Sequence, residues 1–78
     1  MEWQAVDSSQ IEEVGYDEAT STLGIRFKPG RRSPASEYHY ANVLPDVFQA
    51  LVSAESVGSY FINNIKNDPT AYPYTKVE

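Results

Sequence analysis

Cysteine is absent from this 78-residue chain, histidine and tryptophan occur once each, and no apolar run approaches the length of a membrane span. Without cysteine there is neither a disulfide framework nor a thiolate zinc site to supplement a small core. A spanning helix needs roughly 20 consecutive apolar residues, so a membrane protein of the helical kind is excluded. The start, Met1-Glu2-Trp3-Gln4, lacks the basic and apolar regions of a signal peptide, and a cytoplasmic location is the default expectation. Bases are scarce as well, six against eleven acids, for a net charge of −5. That balance argues against unspecific adhesion to nucleic acid, which depends on neutralising many phosphates.

Ten aromatic residues, six of them tyrosine, are what the chain has instead. They carry much of the packing in a domain that buries only about 60% of its unfolded surface. The length allows a single domain, residues 1–78, with its core between about 6 and 77. Oligomerisation is the usual further way for so small a domain to bury surface, and a homo-oligomer is expected.

The run Ile11-Glu12-Glu13-Val14-Gly15-Tyr16 has Val14 and Tyr16 on one face at period two, with Ile11 out of phase. A bulge near Glu12-Glu13 accounts for the break, and Gly15 is compatible with one. Leu23, Ile25 and Phe27 alternate with Gly24, Arg26 and Lys28, which predicts a second strand and an antiparallel hairpin. Pro29-Gly30 turns the chain, and Tyr38-His39-Tyr40 ends a short third strand. Pro45 suits the first position of a helix bearing Val47, Phe48, Leu51 and Ala54 on one face. Ser56 caps a second helix bearing Val57, Tyr60, Phe61 and Ile65, which Asn67-Asp68-Pro69 ends. Tyr72-Pro73-Tyr74 lies in an extended tail able to dock on the body. The expected fold is α+β, a three-stranded antiparallel sheet followed by two helices on one face (β-β-β-α-α). Phe27, Phe48, Leu51 and Phe61 should be buried together.

Read in order, Ser8-Ser9-x-Ile11, Val14-Gly15-Tyr16-Asp17, Leu23-x-Ile25-x-Phe27, Tyr38-x-Tyr40 and Val43-x-Pro45 form a pattern. Leu51, Ala54, Ser56-x-Gly58, Tyr60-Phe61, Ile65-Lys66 and Tyr72-Pro73-Tyr74 complete it. From about Val6 to Val77 this order and spacing resembles the KTSC domain. That short module is named for its occurrence at the C-terminus of some lysyl-tRNA synthetases, and it also stands alone in bacteria and phages. The resemblance implies no established activity, and the synthetase context suggests RNA as a ligand. The chain departs from the family pattern in its longer loop, Lys28 to Ser36, and in Ile62, where a polar residue, often asparagine, is expected.

Catalytic chemistry has little to stand on. The serines have no evident base and no nucleophile elbow, and there is no glycine-rich phosphate loop. Glu12-Glu13 and Asp17-Glu18 read as a solvated edge and a turn rather than as an acid–base pair. His39 should point to the face opposite Tyr38 and Tyr40, with only Glu37 beside it, too few partners for a metal. No cofactor, metal or enzymatic activity is expected.

Charge is unevenly spread, however. The first eighteen residues hold Glu2, Asp7, Glu12, Glu13, Asp17 and Glu18 and no base, whereas Arg26, Lys28, Arg31 and Arg32 cluster around the Pro29-Gly30 turn. A solubilising loop is the plain account of those bases, and a phosphate contact is the functional one. Tyr38 and Tyr40 read either as packed side chains or as a stacking platform for bases. The expectation is a small non-catalytic binding module for a phosphate-bearing ligand, RNA or a small signalling nucleotide, in the manner of a phage or bacterial sequestering protein. Its candidate binding residues are Arg26, Lys28, Arg31, Arg32, Tyr38, His39 and Tyr40. The rival is a protein-interaction module in which the acidic first third meets a partner.

Overall fold

Alternating apolar residues build the middle of a sheet, and glycines decide what can lie on its other side. The computed structural model describes residues 1–77; Glu78, the last residue of the expected domain, lies outside the described residues. Five strands, β1 (Glu2–Ala5), β2 (Ile11–Asp17), β3 (Thr22–Phe27), β4 (Ser36–Tyr40) and β5 (Tyr74–Val77), form one antiparallel sheet in chain order. Between β4 and β5 run α1 (Pro45–Val52) and α2 (Val57–Phe61), and the latter continues into a π-helical segment, Ile62–Lys66. The expected three-stranded sheet is thus corrected to five strands, while the α+β class and both helices stand.

The hairpin of β2 and β3 matches its sequence pattern. Val14 lies opposite Ile25 and Tyr16 opposite Leu23, and the register shifts between Ile11 and Glu13, where the phase break predicted a bulge. Ile11, Val14, Leu23, Ile25 and Tyr40 face the helices and are buried with Val43, Leu51, Val57, Phe61 and Ile65. Pro45 opens α1 at its first turn, where a missing N–H costs nothing. The Ser56 side chain accepts a hydrogen bond from the Ser59 N–H at 3.3 Å and caps α2.

Phe27 and Phe48 are corrections within the core. Both are half-buried and lie in separate aromatic contacts. Phe48 stacks on Tyr16 (4.7 Å, 14°), while Phe27 meets Phe61 (5.8 Å). Helical periodicity identifies the apolar stripe, but α1 is only eight residues long and closes over Leu51, leaving Phe48 at the rim. The Tyr16 hydroxyl donates to the Val43 carbonyl at 2.6 Å, and the Val43 N–H donates to the Ser21 carbonyl at 2.9 Å. These two bonds fasten the β4–α1 connection to the β2–β3 hairpin.

β1 and β5 escape a reading based on alternation. Glu2-Trp3-Gln4-Ala5 has no apolar period of two, and it is a strand because of what Trp3 meets. Gly15 and Gly24 lie opposite each other on the face away from the helices, and the Trp3 ring covers both. A Cβ on Gly24 would lie 2.6 Å from Trp3 Cη2, and one on Gly15 would lie 2.7 Å from Trp3 Cδ2. Gly15 therefore serves this close approach, and the bulge sits elsewhere. In β5 the expected tail docks as a strand, with Tyr74 opposite Tyr40 and Thr75 opposite His39.

Two outcomes follow for stability. Phe61→Ala should cost about 3–5 kcal/mol and half-buried Phe48→Ala less, as read by chemical denaturation. Gly24→Ala should displace Trp3, lower stability by about 1–3 kcal/mol and red-shift the emission of the single tryptophan. An unchanged emission maximum would contradict the seating of Trp3 on the glycines.

Candidate functional site

The two faces of the sheet sort the candidate residues into two groups. Period-two alternation sends Glu37 and His39 to the uncovered face and Tyr38 and Tyr40 to the helix face. On the uncovered face, Arg26 lies with its guanidinium 3.8 Å from the centroid of the Trp3 ring. Arg26 Nε donates to Glu37 Oε1 at 2.8 Å, and Nη1 donates to Glu13 Oε1 at 3.1 Å. His39 Nε2 shares a hydrogen bond with Glu37 Oε2 at 2.9 Å. Tryptophan face, planar cation and two carboxylates hold one another, so Arg26 already has its partners. His39 sits in this group and not with the tyrosines on either side of it.

On the helix face an aromatic shelf runs along β4 and β5. Tyr38 contacts Phe27 edge-on (5.8 Å) and Tyr74 (5.9 Å), and Tyr40 contacts Phe61 (5.2 Å) and Tyr74 (5.7 Å). Tyr40 is a packed residue, and burial, with the neighbouring Tyr38 and Tyr74 phenols, pushes its hydroxyl up to about 12. Tyr38 is half-buried, and Tyr74 is 56% exposed. The usable ring surface of the shelf therefore belongs to Tyr38 and Tyr74 and not to the pair that sequence alternation singled out.

A cleft of about 500 Å³ opens over this shelf, lined by Phe27, Tyr38, Tyr40 and Tyr74 on its floor and by Lys28, Lys66 and Pro69 at its rim. The loop after β3 forms the remaining wall through Ser33 and Pro34. Beyond Tyr38 lies a larger cleft of about 790 Å³, to which Arg26, Lys28 and Lys76 contribute together with Glu12 and Glu37. The longer loop that departs from the family pattern is thus what walls both clefts.

Of the four bases that sequence grouped together, only Lys28 lines the aromatic cleft. Arg31 and Arg32 are exposed on the same loop as Ser33 and Pro34 but line neither cleft, and there the Gly30 N–H donates to the Ser33 carbonyl at 2.9 Å. Among the described residues, Lys28, Arg31, Arg32, Lys66 and Lys76 are in no ion pair with a carboxylate. Lys66, Tyr74 and Lys76 lie 38 or more positions beyond Lys28, so local sequence grouping could not collect them. The flagged Tyr72-Pro73-Tyr74 tail was the one hint.

Other chemistries find no footing among the described residues. No group of three or more histidines or carboxylates is arranged to hold a metal ion, and no helix is long and apolar enough to cross a membrane. Ser8 and Gly58, distant in sequence, come together: the Ser8 hydroxyl accepts from the Gln10 and Ile11 N–H groups, and a Cβ on Gly58 would lie 3.2 Å from it. That contact closes the start of β2 against α2. Ile62 is 39% exposed beside it.

The Arg26 hydrogen bond, followed by that of His39, holds the Glu37 carboxyl below its ordinary value of 4.5. A carboxyl lowered in the folded state stabilises the fold fully above its unfolded pKa and loses that contribution as pH falls through the folded value. Stability should therefore decline below about pH 4.5. Glu37→Gln should flatten part of that decline in denaturation curves taken from pH 6 to pH 3. An acid limb identical to that of the parent protein would show that the Arg26–Glu37 bond contributes nothing to it.

Relatives bear on this geometry. The family model of the KTSC domain matches residues 7–68. A protein from Tsukamurella paurometabola is 45% identical over 62 residues, covering 80% of this chain and 84% of its own length. A protein from Stutzerimonas stutzeri is 34% identical over 74 residues, covering 95% and 94%. The crystal structure of a KTSC domain protein from Yersinia pestis superposes with a TM-score of 0.81 at 30% identity, covering 99% of this chain and 97% of that one. Matched in sequence over most of its length and in fold over nearly all of it, the chain belongs to the KTSC domain family.

Proposed function

We propose that this protein is a non-catalytic binding module for a phosphate-bearing ligand with an aromatic ring, RNA or a small nucleotide, and that the cleft between Lys28, Lys66 and Tyr74 is its site. The observation that carries the reading is the meeting, in one cleft, of ring surface on Tyr38 and Tyr74 with two lysines that have no carboxylate partner among the described residues. Stacking on an aromatic side chain is worth about 1–3 kcal/mol per base and tolerates every base. Ammonium groups supply the point charges that phosphate oxygens need. Arg31 and Arg32, exposed on the loop whose Ser33 and Pro34 wall the cleft, add positive charge to that side of the molecule. Arg26 belongs instead to the Trp3 cluster and His39 to the uncovered face, so neither is part of the proposed site.

The test is a calorimetric titration with adenosine nucleotides and with a short single-stranded RNA. Lys28→Ala plus Lys66→Ala should weaken binding by at least tenfold without moving the melting temperature, because both side chains are exposed. Arg31→Ala plus Arg32→Ala should weaken it less. Equal affinity in the lysine double mutant would move the reading to a protein-interaction module.

A further inference from the structure

We infer that the cleft takes a single nucleotide-sized ligand, one ring bearing one or two phosphates, and not a segment of nucleic-acid strand. The inference rests on the binding-module reading above and narrows it. The cleft over the tyrosine shelf is lined by two cations and no carboxylate. Its volume, about 500 Å³, lies within the roughly 300–1,000 Å³ of small-molecule sites. Single-strand binders instead track about 4–16 nucleotides per module along a continuous positive groove. Here the purely positive lining gives way, beyond Tyr38, to a lining of mixed sign.

What lies on either side sets that limit. Past Tyr38 the surface continues into the larger cleft, where Lys28 and Lys76 are offset by Glu12 and Glu37 and where Arg26 is held by Glu13 and Glu37. A strand leaving the shelf in that direction would carry its next phosphates past carboxylates. Inward, Tyr40 is buried against Phe61 and closes the floor. At the rim beyond Lys66 stands Asp68, whose carboxylate accepts the Ala71 N–H. The protein as a whole carries −5, so a long polyphosphate strand meets net repulsion away from these few bases. A ligand with its ring on Tyr74 and its phosphates between Lys28 and Lys66 satisfies all of these constraints.

Calorimetry on the full chain with AMP, ADP, a twelve-nucleotide poly(U) RNA and inorganic pyrophosphate distinguishes the cases. The expected result is saturable binding of ADP with one site per chain and at least tenfold weaker binding of the RNA. Tyr74→Ala should weaken ADP about tenfold or more while leaving the weaker binding of pyrophosphate unchanged, since only the ring contact is lost. Tyr74 is exposed, and an unaltered thermal melt of that variant guards against unfolding as the cause. RNA binding tighter than ADP, with an affinity that falls by more than two powers of the salt concentration, would overturn the inference and leave the binding-module reading intact. No binding of any of the four ligands would overturn both.

Discussion

Two glycines facing each other across β2 and β3 set the terms for the rest of this molecule. Gly15 and Gly24 leave the middle of the uncovered sheet face bare, and side chains from the start of the chain, Trp3 with Met1 beside it, approach that backbone more closely than any Cβ there would allow. Trp3 does so, and in lying there it recruits β1 as a strand. Its outer ring face then holds Arg26, which in turn orients Glu13 and Glu37, and Glu37 holds His39. One steric allowance thus propagates through a cation–π contact into a hydrogen-bonded network four residues wide. A surface ion pair alone is worth little, roughly 0–1 kcal/mol, and what gives this one a fixed geometry is the ring beneath it.

The consequence for function is a division of labour between faces. The uncovered face consumes the base nearest to the carboxylates, and the chain's other bases are left on the opposite side and around the loop after β3. There the helices do not reach across the whole sheet, so the β4–β5 corner keeps ring surface in the open. Burial decides which rings those are. Tyr40 lies under Phe61 and is spent on packing, whereas Tyr74, on the edge strand, keeps more than half its surface. The long loop from Lys28 to Ser36 then walls the corner and turns an exposed shelf into a cleft.

The helical layer is tied down by comparably few contacts. Tyr16 reaches from β2 to the Val43 carbonyl and stacks on Phe48, so one side chain joins the hairpin, the β4–α1 connection and α1. Ser8 performs a smaller version at the other end, where it meets Gly58. The resemblance to the KTSC pattern included Tyr16, Val43, Ser8 and Gly58 as separate short segments, and folding makes contacts of them.

Periodicity in the sequence determined whatever depends on neighbours along the chain. The β2–β3 hairpin, its bulge near Glu12, the Pro45 start of α1 and the Ser56 cap were all legible because each is a local preference of backbone or side chain. Alternation likewise assigned Tyr38 and His39 to opposite faces. The tertiary structure alone decided that Glu2–Ala5 is a strand, since its stabilising partner is a pair of glycines more than ten residues away. It alone distinguished Arg26, held by Glu13 and Glu37, from Lys28, which lies just past the end of β3 and reaches the aromatic cleft, because alternation says where a side chain points and not what it meets. And it alone joined Lys28 to Lys66 and Tyr74: the aromatic cleft exists only once β5 has paired with β4, and that pairing is long-range.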